Sequence, residues 1–333
     1  MRHSRLFGLA VATAIGLSAG VAGAQDVTLV ASHQFPGGKG DVRDEMVQII
    51  AREVQGANVG LNIQIHPGAS LFKPTEQWNA MVTGQLDISA FPLDYASGKV
   101  REFGATLMPG LVRSHDKAER LNDSPFMDSI RAKIEEAGVI VLADAWLAGA
   151  VGSKTECIRK PEDIKGLKVR SAGATFAAMW QQAGASIVSI PSSEVYTALQ
   201  TGVAEATDTS AGSFVSFRLY EQLKCLTAPG DNALWFMYEP VLMSKQSFEE
   251  LTQEQQDALL AAGQKSEEYF ASESRGLDQE MVDTYTENGV EVVTMTEEEY
   301  NAWLDVAKES SYKQFAEEVP GGQELIDAAL AVE

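Results

Sequence analysis

Residue types that commonly do chemistry are sparse in this chain, and their spacing matches no familiar catalytic or metal site. The four histidines are scattered, and neither a C-x-x-C nor an H-E-x-x-H spacing occurs, so the sequence does not indicate a metal centre. A G-x-S-x-G string occupies residues 16–20, but it lies in an apolar N-terminal run that we expect to be removed. Because no nucleophile and base can be paired by spacing, the residues argue against an enzyme.

A glycine-rich segment, FPGGKGD at residues 35–41, follows a β-rich run. It lacks the third glycine of a dinucleotide-binding loop and the Gly-Lys-Ser/Thr of a P-loop. We interpret it as a tight turn between a strand and a helix, and we expect no cofactor.

The N-terminus has the composition of an export signal. Arg2 and Arg5 precede an apolar run at residues 6–21, and A-G-A at residues 22–24 provides the small residues of a cleavage site. We therefore predict a secretory signal peptide over residues 1–24. A retained membrane anchor is the alternative, but the apolar run is shorter than the roughly 20 residues that a spanning helix needs.

The predicted mature chain is strongly acidic. Removal of residues 1–24 takes away two arginines and no acids, which leaves 24 basic and 47 acidic residues and a net charge of −23. Such a surface repels phosphate backbones, so nucleic acid is not expected as a partner. A small anionic ligand is compatible with it, since one buried cation in a cleft outweighs distant charges that salt screens.

Cys157 and Cys225 are the only cysteines, and both lie in the predicted mature region. In an exported protein an even pair indicates a disulfide bond. Two separate buried thiols are the alternative.

The first half of the mature chain has the pattern of a βαβ unit. Residues 26–35 form a β-rich run, residues 41–55 carry apolar side chains at helical spacing, and residues 59–68 alternate as a strand before Pro-Gly. The next helix begins near Pro74 and ends at Gly84. It leads into a short strand, LDISAF, that ends at Pro92.

The second half repeats this order. Strands are predicted at residues 167–173, 186–191 and 203–209, and helices closed by glycine at residues 175–184 and 192–202. The strings AMVTGQLDISAFP at residues 80–92 and ALQTGVAEATDTS at residues 198–210 are therefore the same helix, glycine stop and strand, once in each half. Because ligands of α/β sheets bind beyond the carboxyl ends of strands, two such lobes facing each other would form a binding cleft.

Two strings in the second half identify a family. PEDIKGLKVRSAG at residues 161–173 and SEVYTALQTGVAEATD at residues 193–208 resemble the signature of the substrate-binding proteins of tripartite ATP-independent periplasmic (TRAP) transporters, the DctP-like family. The resemblance extends over most of the mature chain. Further strings that carry it are SHQFPGG, PGASLF, QWNAMVTGQLDIS and LMPGLV, and the C-terminal third is helical as in the family.

The resemblance implies an α/β, two-lobed periplasmic binding protein fold with a long C-terminal helix between the lobes. It implies one lobe at residues 25–147 plus 235–273 and the other at residues 148–234 plus 274–333. It also implies a periplasmic, monomeric, non-catalytic protein that captures a small organic acid and delivers it to TRAP membrane permease subunits. The alternatives are a periplasmic enzyme on a two-lobed scaffold and a binding protein that serves a sensor.

The resemblance also assigns a ligand residue. In the family the arginine that ends the KGLK-x-R strand binds a ligand carboxylate through two parallel bonds, and this position is Arg170. The planar guanidinium suits a carboxylate. Judged without the family, an arginine in a short strand would more often make a structural salt bridge.

Departures from the family pattern bear on the ligand. Sialic-acid-binding members have a second arginine where this chain has Ala150 and Val151, an asparagine at Thr209 and an aromatic residue at Ser192, so we expect a smaller or flatter acid. Asp208 matches a carboxylate that in some relatives holds a ligand through a cation, although a turn or a ligand hydroxyl would explain it equally. We expect the acid to be held by Arg170 and hydroxyl groups, with Ser192, Asp208 and Thr209 as further ligand candidates. The candidate pocket walls are Phe72, Phe91, Tyr95, Trp146, Trp235 and Tyr238.

The C-terminal third has helical patterns with capping boxes at residues 252–255 and 296–299. We predict a long helix over residues 252–288, broken near Gly276, that crosses both lobes as in the family. Two separate helices in one lobe are the alternative. The segments 147–150 and 234–236 are the hinge candidates.

Overall fold

The computed structural model describes residues 26–230 and 233–332. The predicted signal peptide at residues 1–24 lies outside them. None of the helices in this part of the chain combines the length and the apolar character needed to cross a membrane.

Within the described residues, twelve strands and twelve α-helices form two sheets and the layers around them. The strands are β1 Val27–Ser32, β2 Leu61–His66, β3 Ile88–Ala90, β4 Val139–Ala143, β5 Trp146–Ser153, β6 Lys168–Arg170, β7 Ser186–Val188, β8 Ala206–Ser210, β9 Cys225–Ala228, β10 Phe236–Tyr238, β11 Val241–Ser244 and β12 Glu291–Thr294. The helices are α1 Val42–Ala57, α2 Pro74–Val82, α3 His115–Asn122, α4 Pro125–Glu136, α5 Ala174–Gln182, α6 Val195–Thr201, α7 Ala211–Ser216, α8 Lys245–Glu249, α9 Gln253–Glu287, α10 Glu297–Ala307, α11 Lys313–Glu318 and α12 Gly322–Leu330.

The first sheet has the strand order β2-β1-β3-β11-β4. Strand β1 pairs in parallel with β2 and β3, whereas β11 runs antiparallel to β3 and β4. Helix α1 begins at Asp41, whose side chain accepts a hydrogen bond from the Arg43 amide, and buries Met46, Ile50 and Val54. This is the strand–helix–strand unit that the sequence predicts.

The second sheet has the order β12-β9-β5-β8-β6-β7. Its parallel strands β6, β7 and β8 alternate with helices α5 and α6, as expected from the repeat. Both repeated units end their helix at a glycine in the left-handed region, Gly84 (φ 67°) and Gly202 (φ 75°), where a side chain would be strained. Cys157 and Cys225 form a disulfide bond that ties the loop after β5 to β9, which confirms the predicted pairing.

Two antiparallel strands join the sheets. The first half of β5 pairs with β10, and its second half pairs with β8 and β9 of the second sheet. The chain enters β5 from β4 and leaves β10 for β11, both of which belong to the first sheet. The hinge candidates, residues 147–150 and 234–236, fall on or beside this ribbon. A Cβ atom on Gly149 would lie 1.9 Å from a ring atom of Trp235, so only glycine lets the tryptophan pack across the strand.

Helix α9 is continuous over 35 residues, so the predicted break at Gly276 is wrong. One glycine costs a helix about 1 kcal/mol, which tertiary packing along both ends outweighs. In the first half of the helix the Ser266 hydroxyl donates to the Met46 carbonyl of α1 at 3.1 Å. Near its end the Tyr285 hydroxyl donates to the Phe214 carbonyl of α7 at 3.2 Å. The helix therefore runs across both lobes, as the family resemblance implies.

The last helices also distribute themselves over both lobes. Helix α10 packs on α5, whereas α12 packs on α4 and on the helical turn at Arg101–Leu107. Phe315, Val319 and Ile326 belong to the same apolar core as Ile130 and Ile134 of α4. The lobe boundaries predicted from sequence, residues 25–147 plus 235–273 and residues 148–234 plus 274–333, stay a proposal. The second of these sets includes α12, which packs on elements of the first lobe.

Two glycines of α9 provide a matched test of this packing. A Cβ atom added to Gly276 would have no described atom within 4 Å, whereas a Cβ atom on Gly263 would lie 2.1 Å from the Leu142 carbonyl oxygen. We expect Gly276→Ala to raise the free energy of unfolding by about 1 kcal/mol. We expect Gly263→Ala to lower it by about 1 to 3 kcal/mol through overpacking. Urea unfolding measures both, and stabilisation by Gly263→Ala would contradict the close approach of α9 to β4.

Candidate functional site

A cavity of about 200 Å³ lies between the lobes, at the end of strand β6 and beside the turn that follows β3. The first lobe lines it with residues of a short helix and of the start of α2, and the second lobe with the segments after β6 and β7. The lining residues are Thr75, Asp94, Tyr95 and Ser97 on one side and Ala172, Gly173, Ala174, Ser189, Ile190 and Pro191 on the other.

Arg170 lies directly behind this lining and is fully buried. Its Nε donates to the Ile190 carbonyl at 2.9 Å, Nη1 to the Asp208 carbonyl at 2.7 Å and Nη2 to the Tyr95 hydroxyl at 3.2 Å. A guanidinium has five N–H groups, so one on Nη1 and one on Nη2 have no partner among the described residues. Two such donors are what a carboxylate requires.

Asp208 supports Arg170 from the protein side. Its carboxylate accepts from the Ser171 hydroxyl and the Trp180 indole N–H, each at 2.7 Å, and from the Ala172 amide at 2.8 Å. One oxygen also lies 3.7 Å from Arg170 Nη1. Burial raises the pKa of Asp208, and Arg170 and these donors oppose the shift. Because its oxygens are occupied by protein donors, the geometry favours a structural role over the ligand or cation contact expected from sequence.

The hydroxyl of Tyr95 joins the two lobes. It accepts from the Ser192 amide at 2.9 Å and from Gln34 Nε2 at 3.4 Å, in addition to Arg170. It also lies 3.5 Å from the Ser192 hydroxyl. Tyr95 belongs to the first lobe, whereas Ser192 and Arg170 belong to the second. The Tyr95 hydroxyl oxygen therefore links the two lobes across the cleft.

Three other sequence candidates lie near this point. Phe91 is buried behind Tyr95, with ring centroids 6.0 Å apart, and Phe72 is half-buried against the same core. Thr209 is buried in β8 opposite Ala150, and its side chain makes no hydrogen bond within the described part of the chain. The structure therefore brings Arg170 together with Tyr95 and Ser192, with Phe91 behind them.

The other three aromatic candidates do not line this cavity. Trp146 donates to Asn122 Oδ1 at 2.9 Å and lines a separate pocket of about 230 Å³ between α3 and α9. Tyr238 is buried against Trp146 and donates to Asp144. Trp235 is buried against Gly149 and Phe176. Their place in the binding pocket stays a prediction: they lie on or beside the ribbon that joins the lobes, and in this structure their rings pack into the cores around it.

Asp94 is a cleft residue that the sequence analysis missed. It is 3% exposed, and neither carboxylate oxygen has a hydrogen-bond partner in the described structure. Burial raises its pKa well above the ordinary value, Arg170 opposes the shift, and Glu239 and Asp208 add to it. Its position in the sequence could have indicated it. Asp94 follows Phe91-Pro92 at the end of a predicted strand, and ligands are expected to bind beyond such strand ends.

A second buried arginine also crosses between the lobes. Arg43 of α1 donates to Asp41 Oδ2 and Glu239 Oε2, each at 2.7 Å, and to the hydroxyls of Ser210 at the end of β8 and Ser213 in α7. Burial lowers the pKa of Arg43, but the two carboxylates raise it by more than burial lowers it. The net pKa is above the ordinary value, so the side chain stays charged. The sequence offered no motif for this network.

Comparison with known families settles the class of protein. Residues 41–318 match the DctP family model, described as bacterial extracellular solute-binding protein, family 7. The chain belongs to this family. It is a DctP-family solute-binding protein of the TRAP type, as the signature strings indicate.

Relatives and solved structures agree with this assignment. A solute-binding protein of Albidiferax ferrireducens is 37% identical over 310 residues, which are 92% of each chain. The crystal structure of a TRAP periplasmic solute binding protein from Rhodoferax ferrireducens, with bound malonate, has a TM-score of 0.87 at 37% identity and covers 90% of this chain and 96% of that one. Bordetella pertussis DctP7, a receptor that binds pyroglutamic acid, shares the fold with a TM-score of 0.83 at 21% identity over 91% and 99% of the two chains.

These findings confirm the predicted α/β two-lobed fold and the non-catalytic role. DctP-family proteins are solute-binding proteins rather than enzymes. Neither the periplasmic enzyme nor the sensor-linked protein, the two alternatives from sequence, is supported by the relatives.

The contact between the lobes at Gly173 can be tested by adding one methyl group there. A Cβ atom on Gly173 would lie 2.4 Å from Asp94 Oδ2 and 2.9 Å from Leu107 Cδ2, across the lobe boundary. We expect Gly173→Ala to weaken binding of an organic acid by about tenfold or more, because overpacking of about 1 to 3 kcal/mol opposes closure. Titration calorimetry with malonate measures the affinity.

Gly98→Ala is the matched control for this substitution. Gly98 is exposed near Tyr95 and has open space around its Cα, so an added methyl group should leave the affinity unchanged. Thermal unfolding without ligand should be similar in both variants, since the Gly173 contact is relieved when the lobes open. Equal affinity of Gly173→Ala and the native chain would show that these lobes do not close as described.

Proposed function

We propose that this DctP-family protein captures a small organic acid anion in the periplasm and delivers it to the membrane permease subunits of a TRAP transporter. The observation that carries the proposal is Arg170, a buried cation with two unused N–H groups beside a cavity between the lobes. A buried guanidinium in this state is complementary to a carboxylate, and no described residue takes up the two remaining N–H groups.

The size and lining of the cavity favour a small acid. Its volume of about 200 Å³ is below the range typical of drug-sized ligands. Ala150 and Val151, which stand where sialic-acid-binding members have an arginine, are buried apolar residues of β5. The ligands of relatives, malonate and pyroglutamic acid, are acids of this size class and support the proposal.

Access to Arg170 requires the lobes to part. The guanidinium has no exposed surface, and the Tyr95 hydroxyl of the opposite lobe bonds to it directly. We propose that an open form admits the acid, and that closure adds the contacts of Tyr95 and Asp94 to those of the second lobe. Such differential contact is what shifts an equilibrium toward the closed form.

The proposed compartment also has support in the covalent structure. The Cys157–Cys225 disulfide bond belongs to an oxidising environment, and the signal peptide predicted at residues 1–24 would bring the chain there. We propose that the exported protein acts as a monomer.

Substitution of Arg170 tests the binding role. We expect Arg170→Ala to cost about 2 to 5 kcal/mol of binding free energy, because it leaves a desolvated carboxylate without its cation. Arg170→Lys should also weaken binding, since a point charge cannot make two parallel bonds. Calorimetry with malonate, succinate and pyroglutamate measures these effects.

The control is Arg52→Ala, which removes an exposed arginine paired with Glu45 on α1 and should leave affinity unchanged. Circular dichroism of the unliganded variants separates lost binding from lost folding. Native affinity in Arg170→Ala would overturn the assignment of this residue. Failure of every acid to bind the native chain would overturn the proposed function.

Small-angle scattering tests closure and oligomeric state together. With saturating acid we expect the radius of gyration to fall while the mass stays that of one chain, because hinge closure compacts the two lobes. An unchanged scattering profile, with binding confirmed by calorimetry, would mean that the cleft is closed before the acid arrives.

A further inference from the structure

The cleft contains two buried carboxyl groups that the protein treats differently. Asp208 accepts three hydrogen bonds, from Ser171, Ala172 and Trp180, and lies beside Arg170. Asp94 is also buried, yet no other described residue donates to either of its oxygens. Only the first arrangement is suited to an ionised carboxylate, since a buried charge without donors is strongly unfavourable.

The charges around Asp94 make ionisation less favourable still. Arg170 is the cation that faces it, and Asp208 and Glu239 are the carboxyl groups that face it from β8 and from the segment after β10. Its remaining surroundings include Gly173 and Leu107, which offer no side-chain donor. When an organic anion takes the open N–H groups of Arg170, it neutralises the charge that favours an ionised Asp94.

We propose that Asp94 closes onto the ligand as a neutral carboxylic acid, donating its O–H to the bound organic anion, so that each binding event takes up one proton from solvent. The inference rests on the proposed function of the same cleft. It assigns Asp94 as a residue that recognises the ligand, opposite Arg170, and it defines the ligand as an anion with an acceptor oxygen on the side away from the guanidinium.

The proton balance follows from the two states of the cleft. In an open cleft Asp94 is exposed to solvent, which favours the ionised carboxylate at neutral pH. In the closed cleft burial raises the pKa of Asp94 well above its ordinary value, and no other described residue donates to its oxygens, so closure favours the protonated acid. The contribution of Asp94 to affinity is therefore fully present below its open-state pKa and falls as pH rises, by up to about tenfold per pH unit, until the closed-state pKa is reached.

Calorimetry of the native chain is the primary test. Malonate, succinate and pyroglutamate are titrated in two buffers with different ionisation enthalpies, between about pH 6.5 and about pH 8.5, where carboxylates in water are ionised. The difference in observed heat between the buffers gives the number of protons taken up. We expect a value near one for the acid that binds most tightly, and a dissociation constant that increases with pH.

Two variants identify where the proton resides. Asp94→Asn places an amide N–H donor at the position of the neutral acid, so proton uptake should vanish and affinity near pH 8.5 should exceed that of the native chain by about tenfold or more. Glu239→Gln removes the neighbouring acid that is paired with Arg43, and proton uptake should persist in it. Loss of proton uptake in Glu239→Gln, with uptake retained in Asp94→Asn, would show that Glu239 takes up the proton and would overturn the assignment to Asp94.

The outcomes separate this inference from the proposed function. Binding that depends on Arg170, without proton uptake and with at least tenfold weaker affinity in Asp94→Asn, would show an ionised Asp94 that accepts a bond from the ligand, so only the inference would fail. Absence of binding by all three acids would instead remove the proposed function. The native-chain measurement needs no variant to fold.

Discussion

The cleft is organised around one constraint, a guanidinium that has been removed from water. Arg170 is held by two carbonyls and a hydroxyl, and its nearest carboxylate is 3.7 Å away and occupied by other donors. Burial of a charge is costly unless the group is paired and hydrogen-bonded. The strand end that fixes Arg170, the turn held by Asp208 and the opposing Tyr95 all serve to keep this cation in place while leaving part of it unsatisfied, which is the state that a carboxylate can complete.

The connections between the two lobes are subject to the same requirement, a buried cation that a ligand must reach. The cation can be reached only if the lobes separate, so the connections between them must tolerate motion without losing register. The β5–β10 ribbon provides a short paired crossing, and α9 lies across both lobes with a separate anchor in each. Arg43 adds a permanently charged contact between α1 and the segment after β8, on the first lobe's helical side. Few connections thus join the lobes, and each sheet is complete apart from the shared strands.

Much of the fold could be predicted because it is encoded locally. Alternation, helical spacing and the two glycine stops identified the repeated helix–strand unit, and the signature strings identified Arg170. The errors concern effects that depend on distant packing. Gly276 does not break α9, because contacts at both ends exceed a local preference. Trp146 and Tyr238 do not line the cavity, because the pairing of β5 with β10 places their rings in the core beside it. Asp94 belongs to no motif, and only its burial without donors distinguishes it.

The disulfide bond has a consequence for how the protein is made. Cys157 and Cys225 are the only cysteines in the sequence, so within one chain a single pairing exists. An oxidant can join them in one step, and no wrong intramolecular bond can form that an isomerase would have to correct. Both cysteines lie in the second lobe, 68 residues apart, so their oxidation needs only that half of the molecule. The bond therefore closes a loop within the second lobe and places no covalent constraint on the first.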